Sequence, residues 1–220
     1  MFKQLFSALK SEAMMDRAFA EFSEMLEHAR WMFTTANDVL CRTVNAESVR
    51  ESLYQQDQAI NDLLRSIRRK IVRHLTINPG SDIPPGLALI SVAKDAERIG
   101  DYCKNVFEVG RFYTEQFNVP RYHEPLEEIR HETEDLFDAA QDAWRQSSKS
   151  GAKKAIRSAD SIIDRCDRII EQLLSDRQSI QTHEAVAYSL LARHYKRVAA
   201  HLANISTAVL GRIEDLDFRH

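Results

Sequence analysis

Leu89, Ala93, Ala96, Gly100, Cys103, Phe107 and Gly110 follow one another at alternating steps of four and three residues. That spacing draws a single stripe along an α-helix, whereas a half-buried strand needs alternation at every second residue. The same periodicity returns along most of the chain, and the residues that would interrupt it are scarce, with six Gly and five Pro among 220 residues. So few breakers over this length favour a small number of long helices over many short strands, and the expected fold class is all-α.

The remaining helices follow from the stripes and the breaks between them. A first helix is expected over 11–42, burying Met15, Phe22, Met25, Ala29, Met32, Ala36 and Val39. Asn45 is a good N-cap for a second helix, which carries Leu53, Asp57, Ile60, Leu64, Ile67 and Ile71 at stripe spacing. Prolines and glycines over 78–86 end it and begin the third. A second proline-bearing break over 117–125 marks the expected boundary between a first unit, 1–118, and a second, 119–220. Pro125 suits the first turn of a fourth helix reaching about residue 148, with fifth and sixth helices over 152–176 and 183–214. The halves repeat: 159–167 holds the place of 56–64, and 195–205 that of 96–106, so that Arg98 corresponds to Arg197 and Asn105 to Asn204. The expected architecture is two tandem three-helix bundles.

Bulk properties exclude several classes. A net charge of −3 argues against binding nucleic acid through a broad basic surface. No apolar run approaches the roughly 20 residues that span a bilayer. Cys41, Cys103 and Cys166 are odd in number and widely spaced, as for reduced thiols in a cytosolic protein. The stretch 1–10 is too short in apolar length for a signal peptide and is expected to dock on the protein's own bundle. No glycine-rich phosphate loop, Gly-x-Ser-x-Gly or Cys-x-x-Cys motif is present, so no enzymatic activity is expected.

One feature of the stripes is costly. Asp57 takes a slot otherwise held by apolar residues, and a carboxylate there requires a partner or a cation. On the third helix Glu97 and Asp101 stand four apart, which places like charges about 5–6 Å from each other. With the hairpin centred near Ser81, Asn61 and Asp101 are each 20 residues from the turn and lie at the same height. Asp57, Asn61, Glu97 and Asp101 are therefore expected to converge, with Asn105 one turn beyond. Oxygen donors without His or Cys suit hard ions such as Mg²⁺, Ca²⁺, Mn²⁺ or iron. A salt-bridge network with Arg98 or Lys94 is the alternative that the residues alone leave open.

Glu97-Arg-Ile-Gly-Asp101 on an Ala/Gly-rich stripe, repeated three-helix units, and acids on the second helix of each unit facing the third resemble the PhoU family over about 12–215. The resemblance implies a cytoplasmic, often dimeric regulator that links a phosphate ABC transporter to a sensor kinase and restrains phosphate-starvation genes. It also implies multinuclear metal clusters, iron or zinc, on Glu/Asp-x-x-x-Asp motifs, which places Asp57, Asn61, Glu97 and Asp101 as metal ligands. The second half departs from that pattern, with Lys196 and Ala200 where Glu and Asp are expected. There the ammonium of Lys196 is expected to pair with Asp160 and Asp164, leaving no metal, and His201 is expected to be a packed or surface residue rather than a ligand. A ferritin-like di-metal oxidase would need two Glu-x-x-His tetrads, and only Glu128-Ile-Arg-His131 occurs.

Overall fold

A computed structural model of the protein describes residues 2–77, 80, 82–175 and 180–211, with side chains from residue 13 onward. Among the described residues the chain forms helices α1 (Phe2–Leu40), α2 (Ala46–Ile77), α3 (Ile83–Phe112), α4 (Pro120–Arg145), α5 (Lys149–Ser175) and α6 (Thr182–Val209), with no strand. All seven residues expected on the inner stripe of α1 are buried. The helix nevertheless starts at Phe2 rather than Ser11, because neither Gly nor Pro occurs before its end to stop it. What the side chains of 1–10 touch lies outside the described residues.

The helix ends show where short-range chemistry overrides the stripes. Asn45 caps α2 as expected, its Oδ1 accepting the Glu47 amide at 2.9 Å. Pro120, not Pro125, opens α4, and Pro125 lies inside that helix, at the cost of one bond of the backbone ladder. Helix α5 begins at Lys149 rather than at residue 152. Its first turn is capped by Ser148, whose Oγ accepts the Gly151 amide at 3.1 Å. At the loop between α2 and α3, the buried His74 Nε2 lies 2.7 Å from Asp82 Oδ2 and clips the two helices together.

Helices α1, α2 and α3 pack on one another, as do α4, α5 and α6, and the bundles join along α3 against α6 and α1 against α4. The core is continuous across that joint. Phe22 meets Trp144 with ring centroids 4.5 Å apart, Phe33 meets Phe137 at 5.4 Å and Tyr195 at 5.7 Å. The buried Tyr195 hydroxyl donates to Asn37 Oδ1 on α1.

The expected boundary at 118/119 falls in the segment 113–119 between α3 and α4, which is itself pinned. Phe117 packs between Tyr113 and Tyr188, with centroids at 4.7 and 4.9 Å. The buried Glu184, in the first turn of α6, accepts the Asn118 amide at 2.6 Å and the Tyr188 hydroxyl at 3.1 Å. Glu184→Ala removes the charged acceptor shared by these two donors and is expected to destabilise the protein by about 1–3 kcal/mol, measured by urea unfolding. An unchanged midpoint would show that Glu184 does not hold this connection.

Candidate functional site

Helices α2 and α3 run antiparallel, and Gly100 lets them approach beneath the acidic residues. A Cβ on Gly100 would lie 3.2 Å from Ile60 Cδ1 and 3.7 Å from Asp57 Oδ1, so Asp57 sits directly over the glycine. Its side chain is largely buried, at 15% exposure. Opposite it, Lys104 reaches from α3 and places Nζ 2.9 Å from Asp57 Oδ1 and 3.0 Å from Asp101 Oδ1. Burial works against the Lys104 charge, but hydrogen bonds to Asp57 and Asp101 outweigh it and raise the lysine above its ordinary 10.5. Directly beneath, Cys103 is buried with Sγ 3.7 Å from the Ala29 carbonyl. Desolvation, reinforced by the Asp57 charge, pushes its thiol up and keeps it protonated.

Of the four expected ligands, Asp57 and Asp101 are thus drawn onto one ammonium. Glu97 pairs instead with Lys94, Oε2 to Nζ at 2.6 Å. Asn61 turns its amide back on its own helix and donates to the Asp57 carbonyl at 3.0 Å. Asn105 lines a different surface, the apolar groove between the end of α3 and the start of α6 that also exposes Phe112, Val186 and Leu190. Among the described residues no group of three or more His, Cys, Asp and Glu side chains is gathered closely enough to hold a metal ion. In this arrangement the donor set does not fit a metal cluster. Lys104, which reading the chain alone missed, stands one turn from Asp101 on the face turned to α2.

The second half corrects one expectation. Lys196 does not pair with Asp160 or Asp164, both of which are exposed. It holds both oxygens of Asp167, at 2.7 Å each. Side chains lean toward the N-terminus of their helix. On α6 that direction is the turn, so Lys196 reaches α5 nearer the turn than equal counting from it suggests. Glu128 is paired across α4 and α5 with Arg165 at 2.6 Å, and the exposed His131 lies beside Glu134, so neither faces an acidic centre of the oxidase kind.

A second polar cluster lies where α3 crosses α6. Asp95 is 4% exposed, and its Oδ1 accepts from His201 Nδ1 at 2.7 Å and from Asn204 Nδ2 at 3.2 Å. Under the internal repeat, Asp95 and Tyr102 hold in α3 the places of His194 and His201 in α6. The pseudo-symmetric contact is accordingly His194 against Tyr102, with ring centroids 6.0 Å apart, and Tyr102 stacks on its own counterpart, His201, at 5.7 Å. Arg197 Nε donates to the Tyr102 hydroxyl at 3.1 Å.

Burial, aided by the charge of Arg193, holds the His194 imidazole down at about 4, against an ordinary 6.5. The folded state therefore binds fewer protons than the unfolded one between these values. Stability contributed by a neutral His194 is present above 6.5 and lost as pH falls toward 4. The melting temperature is expected to drop across that window, and less steeply in His194→Phe. Parallel curves for the two proteins would remove His194 as the cause.

Comparison with known proteins bears on both halves. The PhoU domain matches residues 22–109 and again 126–209. A phosphate-specific transport system accessory protein PhoU homolog from Thermotoga maritima is 26% identical over 195 residues, spanning 86% of this chain and 79% of its own length. A PhoU homolog from Pseudomonas putida is 26% identical over 194 residues, spanning 84% and 74% respectively. The crystal structure of PhoU from Pseudomonas aeruginosa superposes with a TM-score of 0.80 at 18% identity, over 90% of this chain and 96% of that one. The Streptococcus pneumoniae phosphate transport system regulatory protein PhoU superposes with a TM-score of 0.73 at 18% identity, over 96% and 98%. Two matches to the domain, one on each bundle and together covering most of the sequence, make this chain a member of the PhoU family.

Proposed function

We propose that this protein is a regulator of a phosphate transport system, acting as a cytoplasmic homodimeric adaptor between the transporter and a phosphate-responsive sensor kinase. The observation that carries the reading is the pair of PhoU domains spanning both bundles. It is supported by relatives in two bacteria that are named as accessory proteins of phosphate-specific transport. No described helix is long and apolar enough to cross a membrane. The regulator reading rests on the two domains and not on any bound ion.

The test is genetic and biochemical. Cells lacking the gene are expected to take up phosphate in excess and to express phosphate-starvation genes in phosphate-rich medium, and the intact gene should restore both. Pull-down from membranes with the tagged protein is expected to recover the transporter's ATPase subunit. Normal uptake and normal gene repression in the deletion strain would overturn the regulator reading.

A further inference from the structure

We propose that Lys104 is the resident cation of the acidic site between α2 and α3, standing where a metal ion is expected in this family, and that the wild-type protein holds no metal there. The inference takes from the family reading only the expectation of a metal. The Oδ1 atoms of Asp57 and Asp101 come from different helices and meet on one ammonium at 2.9 and 3.0 Å. That is the job of a bridging metal, done by a charged donor at the lengths of strong N–H···O bonds. A hard metal ion would need its oxygens at roughly 2.0–2.6 Å, and therefore the departure of the lysine.

The remaining carboxylate, Glu97, is already neutralised by Lys94 at 2.6 Å. Three acids thus meet two lysines, and one net negative charge remains where three would draw a divalent ion. Lys104 is also tethered from both sides, one turn from Asp101 on its own helix and across the hairpin from Asp57. Its side chain is 21% exposed and that of Asp57 15%, so the contact with Asp57 is weakly screened. The second half repeats the device, with Lys196 on α6 holding both oxygens of Asp167 on α5 at 2.7 Å. In each hairpin a lysine of the third helix closes onto an aspartate of the second.

The test compares metal retention by wild type, K104Q, K104R and D57N/K104Q. Each purified chain is incubated with Mn²⁺ or Zn²⁺, desalted, and assayed by elemental analysis and native mass spectrometry, with circular dichroism to establish folding. Wild type and K104R are expected to retain no stoichiometric metal. K104Q is expected to retain about one ion per chain and to bind Mn²⁺ at least about tenfold more tightly than wild type, with the gain abolished in D57N/K104Q. Stoichiometric metal on the wild-type protein, lost in Asp57→Asn, would overturn the proposal and needs no lysine variant to fold. A folded K104Q, or K104M if K104Q does not fold, that gains no metal would overturn it equally. Either failure leaves the phosphate-uptake phenotype of the deletion strain unaffected, so it is separable from failure of the regulator reading.

Discussion

Gly110→Ala is expected to destabilise the protein by about 2 kcal/mol, even though alanine is the better helix former by about 1 kcal/mol. Gly110 lies near the end of α3 against the last residues of α1. A Cβ there would stand 2.8 Å from the Leu40 nitrogen, 2.9 Å from its Cα and 3.2 Å from the Val39 carbonyl carbon. These are backbone atoms, so no side chain can rotate out of the way, and relief requires the two helices to separate. The control is Gly100→Ala on the same helix, whose Cβ would lie 3.2 Å from the flexible end of Ile60. There the clash and the propensity gain are of similar size, and a change within about 1 kcal/mol is expected. Urea unfolding followed by circular dichroism measures both. If Gly110→Ala unfolds at the same urea concentration as wild type, α1 does not end against α3 in this way.

His201→Leu is expected to be larger still, at about 3–5 kcal/mol. Asp95 is 4% exposed in the joint between the bundles, and the described contacts to its carboxylate are His201 at 2.7 Å and Asn204 at 3.2 Å. Removing the imidazole leaves a buried carboxylate with an amide for company, which is where single substitutions cost most. Replacing both members, as in Asp95→Leu/His201→Leu, removes the charge along with its partner and is expected to recover most of the loss. Unfolding should remain a single transition in wild type, because the core passes through this joint without a gap. A double variant no more stable than His201→Leu would mean that the cost lies in packing against Tyr102 rather than in the stranded charge.

The acidic site divides along the same line as these two predictions, between local pattern and helix-to-helix register. Asp57 announced itself because a carboxylate interrupts an apolar stripe, but the arithmetic of the hairpin set Asn61 level with Asp101, whereas it is Asp57 that shares an ammonium with Asp101. Lys104 went unnoticed because Lys94 and Arg98 are equally close to the acids in sequence, and only the rotation of α3 against α2 selects among the three. Arg98 is exposed in the structure. In the second hairpin the same kind of counting put Lys196 opposite Asp164, whereas the lean of the side chain along its helix takes it to Asp167. The Asp95 to His201 pair had no signal in the chain at all. Each residue reads as an ordinary polar position, and the partners are separated by most of the second half.

Helical class, the number and burial of the long stripes, the caps at Asn45 and the internal duplication were all present in the order of residues, because spacing, scarcity of breakers and capping act within a few residues of chain. Which charges meet, how closely α3 approaches α1 at Gly110, and how the two bundles share a core were decided only on folding. Those contacts depend on the rotation and register of one rigid rod against another, and a shift of a single turn moves a side chain by about 5.4 Å, farther than any hydrogen bond can reach.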